Sequence, residues 1–291
     1  MKIAASVKSG ITRSLRAWKG ILIMWFVILL MVSMVAIPMK GVLQSGLGDS
    51  MITEKLAAGI NIDFFADMSA SFKSLVSYFS NGLLMIIITG FFINTFLTGG
   101  LFNSLKKHSG SFSYNEFFKS SADNFWSFSG ISLIVNLIIV LVAIVVIIIP
   151  ISVFEQAEFS SEGSLFKAVI ITISIFLLIV AYLYIVADYA RAWQAISDKG
   201  GCFRALRFAF RQSARTFFSS CSLMLILLLF QLFYGLVVFK LLTQYKPVSG
   251  IGVFMLFLFS QILFYIKLMM KATRYGSITK MMELNTVSPD Q

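Results

Sequence analysis

The chain has 291 residues, of which 58% are hydrophobic and only 13% are charged, and its mean hydropathy is +0.88. A soluble domain of this length could not remove so much apolar surface from water, so the composition indicates a membrane protein. The net charge is +11; its basic residues lie beside the ends of apolar segments, as in membrane proteins, and we therefore expect no nucleic-acid partner.

Six segments contain no Asp, Glu, Lys, Arg or His. About 20 apolar residues in a helix cross the ~30 Å hydrocarbon core, so each segment predicts a transmembrane helix. The predicted spans are residues 20–39, 75–97, 129–150, 168–187, 219–239 and 248–266.

Three amphipathic segments precede the first, third and fifth spans, and they predict helices that lie on the membrane surface. They cover residues 7–18, 113–127 and 203–218. The third has arginines on one face and Leu, Ala and Phe on the other. Its aligned arginines are Arg204, Arg207, Arg211 and Arg215.

Local patterns also predict two helix ends. Ser113 followed by Glu116 forms a capping box, and Phe112 and Phe117 are spaced as its hydrophobic staple. The pair Gly99–Gly100 predicts the end of the second span, because glycine readily adopts the left-handed conformation that terminates a helix.

The three surface segments align at Ser14, Ser121 and Ser213, each flanked by an apolar residue three before and an aromatic residue four after. This spacing predicts three copies of one unit, a surface helix followed by a transmembrane hairpin. Alternatively, any interfacial helix offers Phe, Ser and Arg at such spacing. The predicted fold is an all-α integral membrane protein, a single membrane domain over residues 1–291 with six spans in three hairpins.

The orientation follows from the basic residues. Eighteen of the 24 Lys and Arg residues lie on the side of both termini. Because cytoplasmic segments carry the excess of positive charge, we expect both termini in the cytoplasm.

The sequence D-Y-A-R at Asp188–Arg191, followed by F-R-A-L-R-F-A-F-R at Phe203–Arg211, resembles a group of bacterial six-span membrane proteins. That group includes the membrane domain attached to some glycerophosphodiester phosphodiesterases. The resemblance implies an accessory module of the bacterial inner membrane and carries over no enzymatic residue.

Asp188 and Arg191 are three residues apart at the end of the fourth span, so they share a helical face. Ionisable groups at membrane depth are costly and usually paired. Arg191 could be the partner of Asp188, or Asp188 could pair with an arginine of residues 204–215. Either pairing predicts a structural pin, with proton coupling or headgroup binding as the alternative role.

Four amides lie within the predicted spans, and such side chains usually bridge neighbouring helices. They are Asn94, Asn136, Gln231 and Gln261. The single histidine and the scattered acidic residues cannot compose a catalytic set, so we expect neither an enzyme, a metal site nor a cofactor.

The expected function is that of a non-catalytic module that binds anionic lipid headgroups on the cytoplasmic side or another membrane protein. The four aligned arginines are the candidate binding residues. The alternative is a transporter or channel for small or amphipathic solutes, which would use the intramembrane amides.

Overall fold

A computed structural model describes residues 2–47, 69–106, 112–148, 150, 162–197, 201–245 and 249–286. Every regular element within these ranges is helical. The helices are α1 (Lys2–Arg16), α2 (Trp18–Leu47), α3 (Ser69–Ser104), α4 (Tyr114–Ala143), α5 (Glu162–Ile196), α6 (Cys202–Arg215), α7 (Phe217–Gln244) and α8 (Gly250–Thr286), and a π-helical segment, Ile144–Ile148, extends α4.

Six of these helices are long and apolar enough to cross a membrane: α2, α3, α4, α5, α7 and α8. Each contains all or most of one predicted span; the third span runs from α4 into the π-helical segment, and Ile149 and Val248 lie outside the described residues. The prediction of six apolar helices is therefore confirmed. Together they support a multi-pass membrane protein.

The surface helix predicted for residues 113–127 is wrong as a separate element, because Tyr114–Ala143 is one helix. A stripe of buried side chains, from Phe117 through Asn124 and Ile131 to Val135, continues without interruption past residue 127. The other two predicted surface segments form distinct helices, α1 and α6. Single turn residues, Ala17 and Thr216, separate them from the next helix.

The predicted start of α4 is confirmed. Ser113 is its N-cap, and the Ser113 hydroxyl accepts a hydrogen bond from the backbone N–H of Glu116 at 3.5 Å. The rings of Phe112 and Phe117 have their centroids 5.9 Å apart, as expected for the hydrophobic staple.

The predicted end of α3 at Gly99–Gly100 is wrong, because the helix continues to Ser104. Both glycines instead allow α3 and α4 to approach closely. A Cβ at Gly100 would lie 2.5 Å from Ser121 Oγ and 2.6 Å from the carbonyl oxygen of Phe117. Close packing on small residues, not helix termination, therefore explains this pair.

The chain divides into two compact units, one formed by residues 23–94 and the other by residues 1–22 and 95–291. In the first unit, α2 and α3 pack through glycines. A Cβ at Gly82 would lie 2.9 Å from Val35 Cγ1, and one at Gly90 would lie 3.3 Å from Met31 Cε. The Thr89 hydroxyl also lies 3.7 Å from Met31 Sδ.

In the larger unit, α1 crosses the second half of α8 with almost no space between the backbones. A Cβ at Gly10 would lie 2.6 Å from the carbonyl oxygen of Thr273 and would collide with Ser277 Oγ. A Cβ at Gly276 would in turn lie 3.2 Å from Gly10 Cα. Neither glycine can therefore be replaced without moving one helix.

The three serines aligned in the sequence are all buried at helix contacts of the larger unit. Ser14 Oγ lies 2.9 Å from Thr273 Oγ1 of α8, and Ser213 Oγ lies 3.1 Å from the Tyr182 hydroxyl of α5. Ser121 faces Gly100 of α3. Three equivalent serine contacts are what three copies of one unit would give.

Candidate functional site

Asp188 is at the centre of a buried ionic cluster. Its side chain is fully buried, and Arg191, one turn later on α5, donates to Asp188 Oδ1 at 2.9 Å. From α8, Arg274 Nε lies 3.0 Å from Asp188 Oδ2, an ion pair without hydrogen-bond geometry. Arg191 Nη2 also donates to the Ser132 hydroxyl of α4 at 3.0 Å. The cluster therefore joins α4, α5 and α8.

The sequence left two partners open for Asp188, and the structure pairs it with Arg191. Sequence reasoning missed the second partner, Arg274, because this residue lies beyond residue 266, the predicted end of the sixth span. The signal was present, because Lys271 and Arg274 are spaced i, i+3 directly after an apolar segment. None of the α6 arginines takes part in the ion pairs described for this carboxylate.

Aromatic rings enclose the α8 side of the cluster. The Tyr275 ring stacks on Phe102 with centroids 4.7 Å apart, and Phe128 meets Phe102 edge-on at 5.7 Å. The Arg274 guanidinium and the Lys271 ammonium lie 5.3 Å and 5.7 Å from the Tyr275 centroid. Two guanidinium groups, Arg191 and Arg274, thus contact one carboxylate, and Lys271 lies over the same Tyr275 ring as Arg274.

A second ionic contact fastens α1 to α8. Arg13 donates from both terminal nitrogens to the two carboxylate oxygens of Glu283, at 3.0 and 2.8 Å. Lys280 lies 3.8 Å from Glu283, and Arg13 also reaches the carbonyl oxygen of Leu105 at 3.3 Å. This bidentate geometry fixes orientation as well as proximity.

The four arginines of α6 are all exposed, whereas the opposite face of the helix is buried. The buried face consists largely of small residues, Ala205, Ala209 and Ser213. The adjacent Phe208 stacks on Trp193 of α5 with centroids 5.4 Å apart. Hence α6 packs against α5 and leaves its arginines directed away from the protein.

Three of the four intramembrane amides lie on separate helices of the larger unit, Asn136 on α4, Gln231 on α7 and Gln261 on α8. Asn136 and Gln231 are exposed, and no interhelical hydrogen bond involves Asn136, Gln231 or Gln261 among the described residues. Gln231 lines an apolar groove between α5, α7 and α8. Asn94 belongs to the smaller unit. The expectation that these amides bridge helices is therefore wrong for Asn136, Gln231 and Gln261.

Within the described ranges, no group of three His, Cys, Asp or Glu side chains is placed to hold a metal ion. Both Asp188 oxygens face guanidinium nitrogens, which suits a structural pin. No family model, curated protein or solved structure matches the chain. The resemblance to the bacterial six-span group therefore stays a prediction.

Proposed function

We propose that the protein is a non-catalytic accessory module of a bacterial inner membrane, with both termini in the cytoplasm. It uses the arginine face of α6 to bind anionic lipid headgroups or an acidic surface of another membrane protein. One observation carries the proposal: four guanidinium groups on a single exposed face of a helix whose other face is buried against α5.

The packing of α6 supports a fixed surface rather than a loose loop. Ser213 is hydrogen-bonded to Tyr182, and Thr216, which ends the helix, lies 3.0 Å from Ser220 Oγ at the start of α7. A basic surface held in place loses little conformational entropy when it meets an anionic partner. The four arginines therefore act as one binding face.

The size of the electrostatic effect is sufficient for docking. A basic residue near an anionic leaflet contributes about 1 kcal/mol, so four contribute up to about 4 kcal/mol before screening by salt. This magnitude favours attachment to a surface of negative charge and does not require one specific lipid. We prefer this function to transport because the groove that Gln231 lines is otherwise almost entirely apolar, whereas a polar solute would need a denser polar lining.

The test is hydrogen exchange of the α6 amides in nanodiscs. We expect slower exchange in phosphatidylglycerol than in phosphatidylcholine, because the anionic surface stabilises the docked helix, and this difference should shrink at high salt. Changing Arg204, Arg207, Arg211 and Arg215 together to Gln should abolish the difference between the two lipids.

The matched control removes the same charge elsewhere. Its four substitutions, at exposed basic residues outside α6, are Arg16→Gln, Lys119→Gln, Lys240→Gln and Lys267→Gln. This control should keep the slower exchange of α6 in phosphatidylglycerol. Equal behaviour of the two fourfold variants would show that overall charge, and not the α6 face, is responsible.

A further inference from the structure

An apolar groove of about 530 Å³ lies between α5, α7 and α8. Its volume is within the range of about 300–1,000 Å³ that is typical of small-molecule sites. From Leu177 to Tyr184 on α5, and from Met224 to Gln231 on α7, the walls extend seven residues, or about 10 Å along each helix. The groove is therefore shorter than one leaflet, because each leaflet makes up about half of the ~30 Å hydrocarbon core.

The groove is open to the surroundings of the protein along its walls and covered at one end. Leu177, Leu228 and Phe230 line it and remain largely exposed. At the end near Arg274, two residues of α1, Val7 and Ile11, complete the lining. A long apolar chain can therefore enter from the side, with one end meeting α1.

The covered end carries positive charge. Arg274 lines the groove there, and 22% of its side chain is exposed. Its Nε faces Asp188, but a guanidinium has five N–H donors in a planar fork, more than one carboxylate oxygen can accept. Because two guanidinium groups, Arg191 and Arg274, face the single carboxylate of Asp188, this cluster holds more positive than negative charge.

We propose that this groove binds an acyl chain of an anionic phospholipid, with the phosphate of the headgroup against Arg274. The apolar walls fit the chain, and the excess positive charge at the covered end fits an anionic headgroup. Arginine is well suited to a phosphate because its fork can donate two parallel hydrogen bonds. The groove lies on helices that are long and apolar enough to span a membrane, so phospholipid acyl chains can reach it from the bilayer.

The groove is separate from the arginine face of α6, which contributes no lining residue. Its occupant would be held singly and in a defined position, whereas headgroups at an exposed basic helix exchange with the bulk leaflet. Substitutions can therefore abolish lipid binding at one of the two sites without affecting the other.

The test uses phosphatidylglycerol with a photoreactive group on its acyl chain, at a small fraction in phosphatidylcholine nanodiscs that hold the full chain. Two pairs of neighbouring residues give matched variants. Leu228→Trp and Val180→Trp fill the groove, whereas Leu229→Trp and Leu178→Trp add the same bulk beside it, at side chains that are 54% and 71% exposed.

We expect labelled peptides from α5, α7 and α8. Labelling should fall about tenfold in either groove-filling variant, because losing the burial of a few methylene groups is sufficient for such a factor. The neighbouring variants should label like the original protein. Unlabelled phosphatidylglycerol should compete and oleate should not, and phosphatidylcholine that carries the same photoreactive chain should label the groove far less.

Three results would overturn the proposal: equal labelling by phosphatidylcholine with the same photoreactive chain, competition by oleate alone, or equal labelling of the groove-filling and neighbouring variants. The fourfold arginine-to-glutamine change on α6 should leave groove labelling intact. This variant therefore distinguishes a loss of lipid binding in the groove from a loss of binding at the arginine face of α6.

Discussion

The helices of the larger unit have one packed end and one open end. Buried side chains cluster in the first half of α4, the second half of α5, the beginning of α7 and the second half of α8. In the opposite halves, over residues 137–148, 166–178, 225–245 and 251–266, most large apolar side chains are exposed. Contacts such as Arg191 to Ser132 and Arg274 to Asp188 bring the packed halves together.

The difference between the two ends shows what holds this protein together. In lipid, an exposed leucine is in a solvent as apolar as itself, so burying it stabilises little. Helices associate instead through close backbone contacts, hydrogen bonds and paired charges, and these are concentrated at the packed end. The most hydrophobic segments therefore contribute least to the specific fold.

The largest effect should come from the carboxylate at the centre of the packed end. We expect Asp188→Ala to lower the free energy of unfolding by about 3–5 kcal/mol, because it leaves two partly buried guanidinium groups, those of Arg191 and Arg274, without their counter-ion. The measurement is an SDS titration of the purified protein in mixed micelles, followed by circular dichroism.

The matched control is Asp123→Ala, since Asp123 is an exposed carboxylate on α4. It should change the free energy of unfolding by less than about 0.5 kcal/mol. If the two substitutions had equal effects, the ionic cluster would not be what fastens α4, α5 and α8.

Replacing a glycine by alanine should lower the free energy of unfolding at the packed end and raise it at the open end. Gly10→Ala adds a Cβ that meets the backbone of α8, so we expect a loss of about 1–3 kcal/mol. Gly235→Ala, in the open half of α7, meets nothing within 4 Å. It should instead stabilise the helix by about 0.5–1 kcal/mol, because alanine restricts the unfolded chain.

Both values come from the same SDS titration. A stabilising Gly10→Ala would mean that α1 and α8 do not cross at this point. A destabilising Gly235→Ala would mean that the open half of α7 is packed as closely as its packed half.

The open end could be predicted from the sequence, and the packed end only in part. Uncharged segments of sufficient length define helices in a membrane whatever their neighbours are, so the six spans follow from composition alone. The start of α4 could be predicted equally well, because the Ser113 side chain caps the backbone N–H of Glu116 within a single turn. These features need no knowledge of tertiary contacts.

The packed end depends on which helices meet, and that is not a local property. The small residues Ser6, Gly10 and Ser14 recur every four residues on α1, the spacing of close-packed membrane helices, and this signal was available. Its partner surface on α8 was hidden, because the helix continues 20 residues past the predicted end of the span, from residue 266 to Thr286. For the same reason Arg274, which lies beyond residue 266, was not recognised as a partner of Asp188.

The smallest effect should come from a single hydrogen bond between α5 and α7. The Tyr189 hydroxyl lies 2.9 Å from Ser220 Oγ, which also has Thr216 Oγ1 at 3.0 Å. Because Ser220 keeps this second partner, we expect Tyr189→Phe to lower the free energy of unfolding by only about 0.6 kcal/mol, the average for such bonds in membranes. Tyr245→Phe, at the exposed end of α7, should have no measurable effect. A double-mutant cycle with Ser220→Ala isolates the contribution of this hydrogen bond. A coupling energy near zero would mean that the packing of the Tyr189 ring alone fixes its position. The packed end would then owe its stability to close contacts and ion pairs rather than to hydroxyl hydrogen bonds.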